Sequence, residues 1–323
     1  METIPVYVLS GFLGSGKTTL LTGMLDYLKR RGARPAVIMN EIGDVNLDGT
    51  LVDDDVPMAE LLSGCICCSI REDLSTSLLE IYHKDKPDVM IIESTGVANP
   101  LELLEGITNA SLIVGIELRL VVTVVSSPHF LELSQGERGK TLRLMEEQIR
   151  CADLLLLNKT DLLTLEHIRE VKDRLHILNP QTTAVETIRC QVNMEKLFEL
   201  DGKGADTGPK KADGHSHEPH GGHHHHTHNH VMAYTHFFQE AVDQVKFEKL
   251  ISRLPKEVYR AKGIVQFTDS KDLYLFQYAY RELEIVKITP QQTVQLVAVF
   301  IGEHIDKEQL RLAVEQITAS SVK

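Results

Sequence analysis

Apolar residues follow two rhythms along the chain. Nearly unbroken aliphatic runs occur at Val6–Leu9, Ala36–Met39, Val89–Ile92, Leu120–Val125 and Leu154–Leu157. Such runs predict strands buried on both faces of a parallel sheet. Between them, Leu21, Met24, Leu25 and Leu28 fall at i, i+3, i+4 and i+7, one face of a helix. Strands alternating with helices imply an α/β unit built from βαβ crossovers.

The pattern breaks at Asp201. From there to His230 no large apolar residue occurs, and the segment is Gly, Pro, Lys, Asp and His. It cannot build a core and reads as a mobile linker. A second unit of about 90 residues follows, an ordinary domain size. His236–Phe238, Val258–Phe267, Leu273–Tyr280 and Thr293–Phe300 predict strands. Phe247, Leu250, Ile251 and Leu254 mark a helix stopping before Pro255, and Leu310, Val314 and Ile317 a final one. The three parts are residues 1–200, 201–230 and 231–323. A length of 323 residues fits two domains at about 150 each.

Composition narrows the function classes. A net charge of −12 and no Lys/Arg run give no general attraction to nucleic acid or anionic lipid. No stretch is long and apolar enough to span a membrane, and Met1–Ser10 lacks the basic flank of a signal peptide. Five cysteines, three of them together, are not a secreted disulfide framework. A reducing cytoplasm is the expected compartment.

The candidate chemistry begins directly after the first predicted strand. Gly11-Phe-Leu-Gly14-Ser15-Gly16-Lys17-Thr18 fits G-x-x-x-x-G-K-[ST] and opens a predicted helix. Its backbone N–H groups and helix terminus suit phosphate. Lys17 is expected to reach the β- and γ-phosphates and Thr18 to bind Mg²⁺, with Thr19 beside them. Asn158-Lys159-Thr160-Asp161 ends another strand, where open α/β sheets bind ligands. A carboxylate at Asp161 accepts two hydrogen bonds from the guanine edge, a donor pair that adenine lacks. That favours GTP and argues against a kinase-like ATP enzyme. Glu93-Ser94-Thr95-Gly96 ends a third strand, placing an acid for Mg²⁺ and a glycine for close backbone approach to the γ-phosphate.

Ser63-Gly64-Cys65-Ile66-Cys67-Cys68 lies between these motifs. Cys65 and Cys67 point the same way from an extended backbone, and a bend would bring Cys68 to them. Three thiolates suit Zn²⁺, with water or a nearby acid as a fourth ligand; soft sulfur also suits Cu(I) and disfavours Mg²⁺. In the linker, His215, His217, His220, His223, His224, His225, His226, His228 and His230 form a second ligand-rich tract. Neutral imidazoles there would take Zn²⁺, Ni²⁺, Cu²⁺ or Co²⁺ with little selectivity. Tethering would raise the local metal concentration. Cys151 and Cys190 read as ordinary core or surface thiols.

Taken in order, GFLGSGKTT, Asn40-Glu41-Ile42-Gly43, Gly-Cys-Ile-Cys-Cys, Glu-Ser-Thr-Gly and Asn-Lys-Thr-Asp resemble the CobW-type GTPases. Arg260-Ala261-Lys262-Gly263 and Val299-Phe300-Ile301-Gly302 resemble that family's C-terminal domain. The resemblance implies a P-loop NTPase domain with a mostly parallel sheet, then a small α+β domain. It also implies a GTP-dependent metallochaperone, most often for zinc, related to nickel-delivery GTPases. Cys65, Cys67 and Cys68 become metal ligands, and Asn40–Gly43 the first switch, with Glu41 and Asp44 near the metal or the attacking water. Lys17, Thr18, Glu41 and Glu93 are then the candidate catalytic residues. Gly11, Gly14, Ser15, Gly16, Lys17, Thr18, Thr19, Gly96, Asn158, Lys159 and Asp161 hold nucleotide. The partner implied is a client metalloprotein, with a nucleotide-dependent homodimer expected from related GTPases. Cobalt or nickel insertion, and metal storage with GTP only holding the fold, are the alternatives.

Overall fold

A computed structural model of the chain describes residues 3–41, 56–62, 69–136, 139–200, 231–279, 281–290, 294–303 and 305–318. Seven strands form the first sheet: β1 (Ile4–Ser10), β2 (Pro35–Glu41), β3 (Met58–Leu62), β4 (Val89–Glu93), β5 (Ile116–Ser126), β6 (Leu154–Asn158) and β7 (Thr183–Glu186). Their order is β3-β2-β4-β1-β5-β6-β7, and every pairing is parallel. Side chains alternate between its faces. Val6 and Val8 of β1 point to a core shared with Leu74 and Leu78 of α2 (Ser69–Lys84) and Leu103 and Ile107 of α3 (Pro100–Ser111). Tyr7 and Leu9 point the other way, to Leu20, Leu21, Met24 and Leu28 of α1 (Lys17–Arg30) and Leu197 of α7 (Met194–Glu199). A third cluster packs β5 and β6 against α4 (Ser127–Gln135), α5 (Lys140–Arg150) and α6 (Leu165–Leu178). Strands β4 and β6 are buried along their whole length, as their aliphatic runs require.

Registry aligns the strand ends. Leu9 pairs with Glu93 and Val122, and Ser126 with Asn158. The loops after β1, β4 and β6 therefore leave from one edge of the sheet. The chain turns about β1, with β4 on one side and β5 on the other, and such a switch point leaves a crevice.

The second sheet runs β11 (Glu282–Ile288), β10 (Leu273–Ala279), β9 (Val258–Gln266), β12 (Val297–Glu303) and β8 (Val231–Phe237), all antiparallel. One face carries α8 (Gln244–Ser252) and α9 (Lys307–Thr318) over a core of Phe247, Phe267, Phe276 and Phe300. The other face, with Ile264, Val297 and Val299, packs on Leu112 at the end of α3. Arg260 pairs with Glu105 of α3, and Lys262 Nζ donates to Asn109 Oδ1 at 3.1 Å. A small α+β domain thus leans on α3.

Three strand readings in this sheet need correction. The first strand is not His236–Phe238 but Val231–Phe237, which pairs along its whole length with β12 despite its mixed sequence. The last strand is not Thr293–Phe300 but Val297–Glu303; residues 294–296 carry no strand, and Thr293 is outside the described residues. Strand β11 is absent from the sequence reading because Glu282, Glu284 and Lys287 leave no apolar run. It is an edge strand, where charges discourage pairing with another chain.

Candidate nucleotide site

The loop from Gly11 to Gly16 leaves β1 and runs straight into α1. Helices α3, α6 and α8 have side-chain caps: Asn99 accepts from Leu101 N, Thr164 from His167 N, and Asp243 from Lys246 N. Helix α1 has none. Gly16 precedes it in a left-handed conformation, so its first N–H groups gain no side-chain cap. Gly11, Gly14 and Gly16 take φ of 130°, 68° and 116°. At Gly16 a Cβ would also lie 2.6 Å from Asn158 Nδ2 and 2.8 Å from Cys190 Sγ, so glycine is required on both counts. Lys17 is buried and arches back over the loop, donating to Gly11 O at 2.9 Å and Phe12 O at 3.4 Å. The Ser15 hydroxyl is buried with no hydrogen-bond partner among the described residues. A helix start without a side-chain cap, a buried ammonium and an unused hydroxyl fit phosphate oxygens. Thr19 lies exposed in the first turn of α1.

Glu93 ends β4 and is buried. Thr18 Oγ1 donates to Glu93 Oε1 at 2.9 Å. A hydroxyl and a carboxylate beside a phosphate cradle form a hard oxygen donor set, which fits Mg²⁺. The chain then turns through Ser94–Ala98, closed by Ala98 N to Thr95 O at 3.0 Å. Gly96 abuts the first loop so closely that a Cβ would stand 2.5 Å from Leu13 N.

Asn158 joins the base motif to the phosphate loop. Its Nδ2 donates to Ser15 O at 2.8 Å, and its Oδ1 accepts from Cys190 N at 2.9 Å and Thr187 Oγ1 at 3.3 Å. Asn158 is therefore a structural lock. Lys159 takes a left-handed φ of 62°, and Asp161 stands exposed on the short 3-10 turn Thr160–Leu162. Its carboxylate is available to a ligand.

The loop after β7 supplies residues that sequence reasoning passed over. Arg189 and Cys190 both adopt left-handed backbone, at φ of 51° and 52°. Such outliers gather at ligand sites. The Cys190 thiol donates to Gly16 O at 3.3 Å, and burial pushes its pKa up to about 12, opposed only in part by the Lys159 ammonium. Cys190 is a core thiol, as expected, and it also ties this loop to the phosphate loop. The available signal was its place after the next strand along the same sheet edge.

Other expected residues fall outside this description. The Glu41 backbone ends β2, but its side chain is not among the described residues. Asp44, Cys65, Cys67, Cys68 and the histidines from His215 to His230 lie outside the described residues altogether. Among the described residues no group of three or more His, Cys, Asp or Glu could hold a metal, and no helix is long and apolar enough to cross a membrane.

Comparison with known proteins follows the same division. Residues 231–318 match the cobalamin synthesis protein cobW C-terminal domain. A zinc-regulated GTPase metalloprotein activator 1 of Dictyostelium discoideum is 30% identical over 233 residues, covering 61% of this chain and 48% of the relative. The zinc chaperone YjiA of Escherichia coli is 31% identical over 209 residues, covering 62% of this chain and 63% of the relative. The chain thus matches about half to under two thirds of the length of these relatives. The crystal structure of Zn(II)-bound YjiA GTPase from E. coli aligns with 98% of this chain and 99% of its own at a TM-score of 0.48 and 22% identity. Residues 5–186, more than half of the chain, match the CobW/HypB/UreG nucleotide-binding domain, and the chain belongs to that family.

Proposed function

We propose that this protein is a GTPase metallochaperone. It binds Mg²⁺–GTP at the edge of the parallel sheet, hydrolyses it, and uses the nucleotide state to govern Zn²⁺ held by Cys65, Cys67 and Cys68. The observation that carries the reading is the Asn158 lock. One amide joins the phosphate loop, at Ser15 O, to the loop after β7, at Cys190 N. Phosphate cradle and base reader are therefore one unit, and Asp161 beside them selects guanine.

Within this unit Lys17 offers charge to the β- and γ-phosphates, and the uncapped start of α1 offers backbone N–H groups. Thr18 and Glu93 would hold Mg²⁺, which neutralises charge between the β- and γ-phosphates. Gly96 lies close against Leu13, and its missing side chain lets the backbone approach, so that its N–H would reach toward the γ-phosphate. Glu41, whose backbone ends β2, and Asp44 would act near the metal or the attacking water. Hydrolysis relaxes Asn40–Asp48 and Ser94–Ala98 and weakens the cysteine site, so zinc passes to a client metalloprotein. Such coupling is typically about 1–3 kcal/mol, or roughly 5–150-fold in affinity. The histidine tract gathers zinc, and cobalt or nickel compete there. Two copies meeting on nucleotide binding, in the cytoplasm, complete the proposal.

The test is Zn²⁺ affinity by competition with a chromophoric chelator, on the full chain and on C65S/C67S/C68S. Each is measured with Mg²⁺–GTP analogue and with Mg²⁺–GDP. Histidine binding contributes to every arm, so the nucleotide-dependent difference isolates the cysteines. Tighter binding with the analogue, lost in the triple variant, supports delivery. Equal affinity in all arms makes the protein a metal store and refutes the switch.

A further inference from the structure

Helix α5 carries a residue that the motifs do not explain. Leu142, Met145 and Ile149 form its buried apolar stripe, and Gln148 sits beside Ile149, only 1% exposed. Packing alone would place Leu or Met there. Instead the Gln148 Nε2 donates to Gly96 O at 3.1 Å, across 52 positions of sequence. Its own carbonyl accepts from Thr123 Oγ1 of β5 at 2.9 Å. The residue thus ties α5, β5 and the loop after Glu93 together.

The clamp acts on a tightly placed peptide. Gly96 has Leu13 of the phosphate loop on one side, where not even a Cβ fits, and Gln148 behind it. Fixing Gly96 O fixes the plane of the Gly96–Val97 peptide. What remains free is rotation about Gly96 itself, which swings its N–H toward or away from the phosphate cradle. Gln148 Oε1 is buried with no hydrogen-bond partner among the described residues. Buried amides are almost always satisfied at both ends, and an orphan calls for an explanation. A loop with two arrangements supplies one, if an N–H of the loop reaches Oε1 in the other state.

We infer that Gln148 is a positioning residue for GTP hydrolysis, its amide holding Gly96 in register with the γ-phosphate. This deepens the proposed function and rests on the chain being a GTPase. Gln148 is buried behind Gly96 and is not among the residues read as holding nucleotide or metal, so its loss should spare ground-state binding and slow the chemical step.

The experiment uses the full chain and two variants. Gln148→Met keeps length and apolar packing but removes the donor. Gln148→Glu keeps shape but sets a carboxylate against Gly96 O. Melting temperature, GDP affinity, kcat and KM for GTP, and hydrogen exchange of residues 94–99 with GTP analogue and with GDP are recorded. Gln148→Met leaves Gly96 O without its donor but also removes the orphan Oε1, so it should stay folded with a melting temperature only a few degrees below the parent and bind GDP within about twofold. Its kcat should fall about tenfold or more at unchanged KM, the loss of roughly one transition-state hydrogen bond. Gln148→Glu should fall further, and in both variants the exchange difference between nucleotides at 94–99 should shrink. A folded Gln148→Met with parental kcat and parental exchange overturns the inference. So does a fall in GDP affinity matching the fall in kcat. If the parent itself does not hydrolyse GTP, the proposed function fails, and the exchange comparison still decides whether Gln148 positions Gly96. If Gln148→Glu does not fold, Gln148→Met carries the decision.

Discussion

Asn158 and Asp161 stand three positions apart in one motif, and the structure assigns them opposite phenotypes. Asn158 is buried and serves two backbone groups, Ser15 O and Cys190 N, with Thr187 Oγ1 as a third contact. Asn158→Ala leaves both backbone groups buried without a partner. Each costs about 1–3 kcal/mol, giving roughly 2–6 kcal/mol for the pair. Water entering the vacated space recovers part of this, so about 3 kcal/mol is the expected loss. That corresponds to a melting shift of roughly 6–12 °C in a domain of this size. Asp161 is exposed, and Asp161→Asn should change stability by no more than about 0.5 kcal/mol. Its effect falls on the ligand. An asparagine amide offers one donor and one acceptor, which matches the xanthine edge and mismatches guanine. GTP affinity should drop roughly 10–100-fold while XTP affinity rises, since hydrogen bonds to charged groups are worth about 1.5–3 kcal/mol. The chain contains no Trp, so urea unfolding is followed by far-ultraviolet circular dichroism without nucleotide, and affinities by titration calorimetry. A stable Asn158→Ala, or an Asp161→Asn that still prefers GTP, would refute the division of labour.

Two further outcomes follow from the same loops. Gly16→Ala forces a side chain into left-handed backbone and against Asn158 Nδ2 and Cys190 Sγ; it should cost about 1–3 kcal/mol from strain alone and abolish GDP binding, as melting and calorimetry will read. The Cys190 thiol is held neutral up to about 12, whereas an unfolded thiol ionises near 8.5. Because the folded value is raised, its contribution to stability is complete below about pH 8.5 and is lost as pH rises from there toward 12. Cys190→Ser keeps a donor for Gly16 O without that ionisation, so its urea midpoint should fall less steeply than the parent's above pH 8.5; parallel curves would remove the burial argument.

What could be read from sequence was local. The phosphate loop packs glycines, lysine and threonine into eight consecutive residues. Its flanking strand and helix are equally plain, since β1 is an unbroken apolar run and α1 has a clean helical stripe. The Asn158–Asp161 motif is local too, although its first residue proves to be an internal tie. What escaped was made by distance. Cys190 meets Gly16 across 174 positions, and Gln148 meets Gly96 across 52. No periodicity announces such contacts, because neither the helix stripe around Gln148 nor the loop holding Cys190 says what it will meet. Short or charged strands also escaped: β7 has four residues, and β11 carries three charges. The cysteine triplet and the histidine tract rest on the sequence alone.

The position of β1 has a consequence for how the protein is made. Strand β1 sits in the middle of the sheet, and both of its partners, β4 and β5, follow it in the chain. Its second neighbour is complete only at Ser126. At about 5–20 residues per second, roughly 6–23 s separate synthesis of Ser10 from that moment. Strand β4 is complete at Glu93, but until Ser126 the other edge of this apolar strand lacks its neighbour and is a natural target for a holding chaperone. The nucleotide cannot shorten the wait, because the loop it needs is locked only once Asn158 and Cys190 have followed. Under the proposed function, guanine nucleotide capture would then report that Cys190 has been made and that the first domain has closed.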